Sequence, residues 1–413
     1  MFNAPRLAAT VAFCFAAALP AQPADWPQWR GPNRDGKSSE TGLMKSWPEE
    51  GPELLWSTNG IGKGWAPPSV AGNAIYVLGL VGSEEVLFAL ALDGKLRWKT
   101  PCGAGWTKSN SGSRCQPTVL KNRLYVVTSM VQVSCLDAAD GRIVWSVDAM
   151  DKFGGVNRSY GNAESPLVVD DKVIVTAGGT NASIVALNKD SGETVWTTEG
   201  LSVPASYCSP ILVERGGLKI LVTMIKDGLI GVDAGDGSVL WRAVHHNKYD
   251  NHMVSPVFEG GLLYFTSGYG AGGQMFSLSD DGRTITKLWK ELKPDTMHGG
   301  LVFKDGYIYG SSYTPQGGGG QWICLEAKTG KVAYQKPWVK SGAVTYADGH
   351  LYCYGEDGRV ALVPASPDAE TPAGVFTVTQ GTGSHCAHPV VSGGRLYIRR
   401  GEVLMAYGIS NRK

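Results

Sequence analysis

Charge is scarce in this 413-residue chain: 18% of its residues are Asp, Glu, Lys or Arg, and the formal net charge is +1. A surface so sparse and balanced offers no basic stripe for nucleic acid and no polybasic patch for an anionic membrane. Long apolar runs are missing too. The longest, LAATVAFCFAAAL at 7–19, is too short to span a bilayer. No H-E-x-x-H, paired C-x-x-C, phosphate-binding loop or Ser-His-Asp spacing occurs, so a zinc hydrolase, dithiol oxidoreductase, kinase or serine hydrolase lacks its signature. Histidine is rare, at seven residues.

The short apolar run follows Arg6 and precedes the small residues Ala21 and Ala24. It reads as a signal peptide over residues 1–24, and the rest as an exported, soluble, monomeric protein, periplasmic or extracellular. Of eight cysteines, seven remain after such cleavage. Export permits disulfides, and Cys102 with Cys115 is the best local candidate; spacing leaves that pairing open. Cys135 and Cys324 fall on apolar strands as small buried hydrophobes.

What the chain has in quantity is glycine, 55 residues, and tryptophan, 13. They recur together. ALNKDSGETVW (186–196), GVDAGDGSVLW (231–241), CLDAADGRIVW (135–145) and CLEAKTGKVAY (324–334) share one pattern, with ALALDGKLRW (89–98) one residue shorter and LSDDGRTITKLW a stretched copy. The glycines Gly94, Gly141, Gly192 and Gly237 are 47, 51 and 45 residues apart. That period in β-forming sequence predicts propeller blades. The polar residue and glycine make the turn between two outer strands. The aromatic that follows (Trp98, Trp145, Trp196, Trp241, Trp289, Tyr334) is placed to wedge against the neighbouring blade.

Inner hairpins begin near residues 68, 117, 166, 210, 256, 300, 343 and 389, each two apolar strands about a Gly/Asp/Asn turn. The chain therefore predicts an all-β, eight-bladed propeller of four-stranded antiparallel blades over 51–413. Seven blades is the alternative if 360–376 forms no outer strands. PELLWS, with Trp56, has no inner strands before it, and the last blade lacks an outer strand, so the N-terminal strand completes the last blade. Residues 25–50 read as an irregular Trp/Pro/Gly-rich arm packed on the propeller.

The eleven-residue pattern resembles the tryptophan-docking motif of the pyrroloquinoline-quinone (PQQ) repeat propellers, over roughly residues 50 to 408. That superfamily includes quinoprotein dehydrogenases and the BamB outer-membrane assembly lipoprotein. DWPQWRGPNRDG also resembles the opening of secreted PQQ-like repeat proteins of unassigned role. The resemblance implies the fold, and makes PQQ with calcium a possible cofactor pair acting on an alcohol or sugar. Many relatives hold PQQ under a disulfide of adjacent cysteines, and no Cys-Cys pair occurs here. Cys14 lies inside the apolar run, unlike a lipidation site, which separates the chain from the BamB pattern.

Long connections gather on one face: 101–116, 150–165 and 243–255 between blades, 267–274 and 311–321 within them. Six of the seven histidines fall there, and long loops on a rigid scaffold are where binding is built. The candidate ligand-binding residues at the channel mouth are Trp65, Arg114, Cys115, Asn162, Glu164, Tyr207, Cys208, His252, His298, His385 and His388. Capping of strand ends is the competing role for each; none is assigned to catalysis or to a metal. The expectation is an exported, non-catalytic propeller that binds a protein, glycan or small polar ligand on this face. A PQQ/calcium dehydrogenase and a BamB-like assembly factor are the alternatives.

Overall fold

The computed structural model describes residues 24–313 and 320–411. The predicted signal peptide, up to residue 23, and part of the 311–321 loop lie outside the described residues. Eight antiparallel sheets of four strands form the blades, one of them carrying a fifth, parallel strand. The innermost strands are Ser69–Ala71, Thr118–Leu120, Leu167–Val169, Ile211–Arg215, Val257–Glu259, Leu301–Lys304, Gly342–Ala347 and Val390–Ser392, numbered here as blades one to eight. Arg359–Pro364 and Gly374–Thr377 pair as the outer strands of blade seven, so the count is eight. Leu54–Asn59 pairs antiparallel with Val403–Gly408 and completes blade eight from the opposite end of the chain.

The outermost strand carries a β-bulge at the same place in all blades but the seventh. In blade two, Ile143 faces Leu136 and Trp145 faces Cys135, leaving Val144 as the extra residue. The same slip precedes Trp56, Trp98, Trp196, Trp241, Trp289 and Tyr334. A bulge bends and twists the strand locally and re-aims the next side chain. Here that side chain is the ring at the seam. Trp145 Nε1 donates to Lys189 O of the next blade at 2.9 Å, and Trp289 Nε1 to Ala327 O at 3.0 Å. The next blade's turn glycine lies on the ring: a Cβ on Gly192 would meet Trp145 atoms at 2.8 Å. Gly192 also has φ +77°, so both space and backbone require glycine there. Blade seven has no bulge and ends in Phe376. Its seam is filled from the arm instead, with Trp47 edge-on to Phe376 at 5.2 Å between centroids.

Residues 24–40 of the arm run inside the central channel and touch the inner edge of every blade. Trp26 bridges to Val70 of blade one, and Pro27 O accepts from Val119 N of blade two. Arg34 donates to Pro166 O and Pro210 O, at blades three and four. Trp29 Nε1 donates to Ser255 Oγ, at the entry to blade five. Arg30 and Lys37 donate to Leu301 O and Phe303 O of blade six. Lys37–Ser38 pairs in parallel with Tyr346 and Ala347 of blade seven, and Ser38 Oγ donates to Val391 O of blade eight.

Candidate functional site

The inner strands begin at the end of the channel where the long loops lie, and backbone carbonyls at or just before several of their starts face the arm. Two arginines of the arm satisfy these carbonyls. Arg34 uses Nε to Pro210 O (2.6 Å), Nη1 to Pro166 O (3.0 Å) and Nη2 to Ser165 O (2.8 Å). Arg30 reaches Leu301 O and His388 Nδ1 (3.0 Å). Both are completely buried, and burial pulls each guanidinium down to about 10. Hydroxyls knit neighbouring strands below them, as where Thr118 Oγ1 donates to Pro166 O at 2.7 Å.

Above the arginines the channel opens into a cup of about 380 Å³. Its floor is Trp29, at the top of the arm. Its wall comes from the loops between blades: Trp65 and Arg114, then Tyr160 and Tyr207, then Asn251, Met253, Met297 and His298, and finally Ser384, Cys386 and His388. Tyr269, from the loop within blade five, and Asn110 complete it. Trp65 Nε1 donates to Ser111 O at 3.2 Å, fixing the ring. Aromatic and thioether surface dominates, with a few polar groups among it, which is the composition of a small-molecule site.

Five of the eleven predicted site residues therefore converge: Trp65, Arg114, Tyr207, His298 and His388. The others stand behind the wall. Cys115 and Glu164 take the same structural place in successive blades, accepting a backbone N–H of the second strand: Val127 N at 3.4 Å and Thr176 N at 2.9 Å. Cys208 is likewise buried, its thiol beside the Met224 N–H. Asn162 Oδ1 accepts from Glu164 N. His252 is fully buried with Nε2 at 3.2 Å from Lys226 O, and burial pulls it down to about 4. His385 Nδ1 holds the Tyr354 hydroxyl at 2.6 Å. Cys102 and Cys115 are separate buried thiols, so the candidate disulfide does not form: Cys115 Sγ is turned to its own blade's backbone. Cys135 and Cys324 are fully buried.

Sequence reasoning placed Trp29 in an arm packed by its rings, and nothing in the local pattern signals that it reaches the cup. Met297 carries no signal either. Asn110, Asn251, Met253 and Tyr269 sit in the long loops already singled out, and Cys386 stands beside predicted residues.

The electrostatics are set by burial. Glu164, fully enclosed with one oxygen unpartnered, is pushed up to about 7. Glu85 is raised by the same cause although the Ser129 hydroxyl and N–H both reach it. His388 is held neutral by burial and Arg30, its Nδ1 toward Arg30 and its Nε2 3.0 Å from His298 O.

PQQ with calcium can be tested against this lining. A polyanionic quinone asks for several cations, and calcium for six or more oxygens. Among the described residues the cup wall carries Arg114 as its one arginine and no carboxylate. No group of three His, Cys, Asp or Glu among them is placed to hold a metal. Glu85 and Glu164 face backbone N–H groups behind the wall. The residues present do not fit that pair.

Fold and cup together define a closed eight-bladed propeller with its channel occupied by its own N-terminal arm. The family described as outer membrane protein assembly factor BamB matches residues 46–152, 105–336 and 278–371, and the chain belongs to it. Quinohemoprotein alcohol dehydrogenase ADH-IIG of Pseudomonas putida is 28% identical over 48% of this chain and 27% of its own length. BamB of Moranella endobia is 26% identical over 66% of each. The chain thus spans about a quarter of the first relative and just under two thirds of the second. Among solved structures, BamB from Moraxella catarrhalis superposes with a TM-score of 0.62 at 16% identity, over 87% of this chain and all of that one. Quinohemoprotein alcohol dehydrogenase from Comamonas testosteroni gives 0.67 at 13% identity, over 94% and 81%. At such identities the likeness is one of fold. No helix among the described residues is long and apolar enough to cross a membrane.

Proposed function

We propose that this chain is an exported binding propeller whose cup takes a small ligand with a flat apolar face and a polar edge, best represented by a sugar unit at the end of a glycan. The observation that carries this reading is the lining. Trp29, Trp65, Tyr160, Tyr207 and Tyr269 surround about 380 Å³, and aromatic faces stack well on the C–H faces of sugar rings. Asn110, Arg114 and Asn251 provide hydrogen-bonding groups at the polar edge. A non-catalytic module is sufficient for this role, and the PQQ and assembly-factor readings enter as outcomes of the test.

The test is a titration of the mature protein with mono- to trisaccharides, followed by tryptophan fluorescence, since two tryptophans face the ligand. Saturable quenching is the expected result, with binding about fivefold weaker in Trp65→Ala. No response to any sugar overturns the glycan reading. Saturable quenching by PQQ with calcium alone turns the assignment to a quinoprotein. Capture of an outer-membrane assembly protein with no small-molecule response turns it to a BamB-like role.

A further inference from the structure

Charge is unevenly paired around the cup. On the side of blades four to seven, carboxylates stand beside the basic groups of the rim. His246 Nδ1 lies 2.9 Å from Asp250 Oδ1, His298 Nε2 3.2 Å from Glu356 Oε1, and Lys340 Nζ 3.5 Å from Glu356 Oε2. On the side of blades one to three, Lys63, Lys108, Arg114 and Arg158 have no ion-pair partner among the described residues. Lys63 Nζ donates to Ser111 Oγ at 3.0 Å, and Lys108 Nζ lies 5.4 Å over the Trp106 ring. Arg158 donates to the carbonyls of Tyr249 and Asp250, with its guanidinium 5.7 Å from the centre of the Tyr207 ring. Of the four, Arg114 alone lines the cup. It donates from Nη1 to Gly112 O at 2.9 Å and from Nη2 to Asn110 O, both in its own loop. Those two bonds leave part of the guanidinium fork unused. Glu85, which acts on Arg114 from further off, is turned to Ser129 behind the wall.

We propose that the sugar unit held in the cup is a uronic acid, its carboxylate paired with Arg114. This rests on the glycan reading and narrows it. A guanidinium in a half-enclosed, ring-walled site has lost part of its water and has no counter-charge to replace it. A ligand anion supplies what the wall lacks, and the wall holds no carboxylate to repel it. The unused N–H groups suit the two oxygens of a carboxylate, a charge-assisted pairing stronger than any bond to a sugar hydroxyl.

The chemistry of the remaining wall favours a single carboxylate on a sugar ring. A phosphate monoester brings about two charges, and only one guanidinium is free to meet them. His298 already has Glu356 beside it, and His388 is committed to Arg30 and to the His298 carbonyl. A pyranose acid keeps an apolar face for Trp29 or Trp65. Its exocyclic carboxylate stands at the edge of the ring, with the hydroxyls left for Asn110 and Asn251.

The test is a titration of the full mature chain with matched neutral and acidic sugars, followed by tryptophan fluorescence. Glucose is paired with glucuronate and galactose with galacturonate, with glucose 6-phosphate beside them. In at least one pair the acid should bind about tenfold tighter than its neutral partner at low salt. That ratio should fall in about 0.5 M salt, where charges are strongly screened. Arg114→Gln should bring the ratio to within about twofold of one, whereas Lys108→Gln, which removes an exposed charge of the same loop, should leave it within about twofold of wild type. Neutral and acidic sugars that bind equally overturn the uronic-acid proposal and leave the glycan reading standing. So does a ratio that Lys108→Gln abolishes as fully as Arg114→Gln, or glucose 6-phosphate binding more tightly than glucuronate. If Arg114→Gln loses both members of the pair, Arg114→Lys decides: it keeps the charge, so the acid must still bind tighter, and equal binding overturns the proposal. No response to any sugar overturns both readings together.

Discussion

The two halves of the channel are built from the same eight strand entries and have opposite chemistry. In the lower half the arm fills the bore, and Arg30 and Arg34 turn inward-pointing carbonyls into hydrogen-bond partners. In the upper half the same circle is walled by rings, thioethers and one free thiol. The difference teaches how a repeat fold acquires a site. Eight equivalent blades leave a through-channel, and one non-repeated segment stoppers it at a chosen depth, making a cup. The arm is thus as much part of the site as the loops.

Breaking the lower half should have the largest effect. Arg34→Met keeps the volume of the stem but leaves the carbonyls of Ser165 and Pro210 without donors and Pro166 O with the Thr118 hydroxyl alone. Each buried orphan costs about 1–3 kcal/mol, so a loss of about 4 kcal/mol or more is expected in urea unfolding of the mature chain. A loss below about 1 kcal/mol would show that the arm is an accessory to the channel and does not support it.

Next in size is the carboxyl that Arg34 faces at longer range. Glu164 is raised from 4.5 to about 7 by burial, with Arg34 opposing the rise and the Cys115 and Cys208 thiols nearby. Below about pH 4.5 both folded and unfolded chains hold this proton. Between about 4.5 and 7 only the folded chain does, so stability falls as pH rises through that window and levels off above it. The span corresponds to about 3 kcal/mol. Glu164→Gln keeps an acceptor for Thr176 N, and should match wild type near pH 4.5 and exceed its Tm at pH 8. Equal Tm values at pH 8 would place the proton elsewhere. Glu85, shifted in the same direction, should supply the slope that remains in the variant.

The blades were legible because a seam needs the same parts each time. A turn glycine, an interval and a ring repeat where one blade meets the next, and the inner hairpins, counted along the chain, predict eight sheets. The seam at Phe376 keeps the glycine and changes its source: Gly51, at φ +83°, stands where a Cβ would meet Phe376 Cβ at 2.4 Å, so the glycine arrives from the other end of the chain with the strand that closes blade eight. The cup was half legible. Loop length pointed to the end of the channel where it lies, and Trp65, Arg114, Tyr207, His298 and His388 do meet there. Cys115, Glu164 and Cys208 stand at equivalent places just before their inner strands, where a polar or sulfur atom caps the Val127, Thr176 or Met224 N–H of its own blade. His298 holds the same place in blade six and faces the cup instead. Trp29 could not be read, because nothing local distinguishes an arm that lies on a surface from one that threads a channel.

The boundary between the halves is where smaller effects become informative. Trp29 belongs to both: its Nε1 bonds Ser255 Oγ at 2.9 Å, its ring lies 4.8 Å from His388, and its face floors the cup. Trp29→Ala should cost about 2 kcal/mol of stability through the lost ring and hydrogen bond, and also weaken sugar binding. Trp65 belongs to the cup, part-exposed on a loop, with its backbone N–H on Ser113 O and its ring on Ser111 O. Trp65→Ala should change stability by less than about 1 kcal/mol. Losing its ring–ligand contact should weaken binding by about 1 kcal/mol, or about fivefold, read by calorimetry because the variant lacks one reporter. If Trp65→Ala instead unfolds the protein as readily as Trp29→Ala, the two halves are one structural unit. The aromatic wall would then be there for packing, and a ligand would have to be sought elsewhere on the long-loop face.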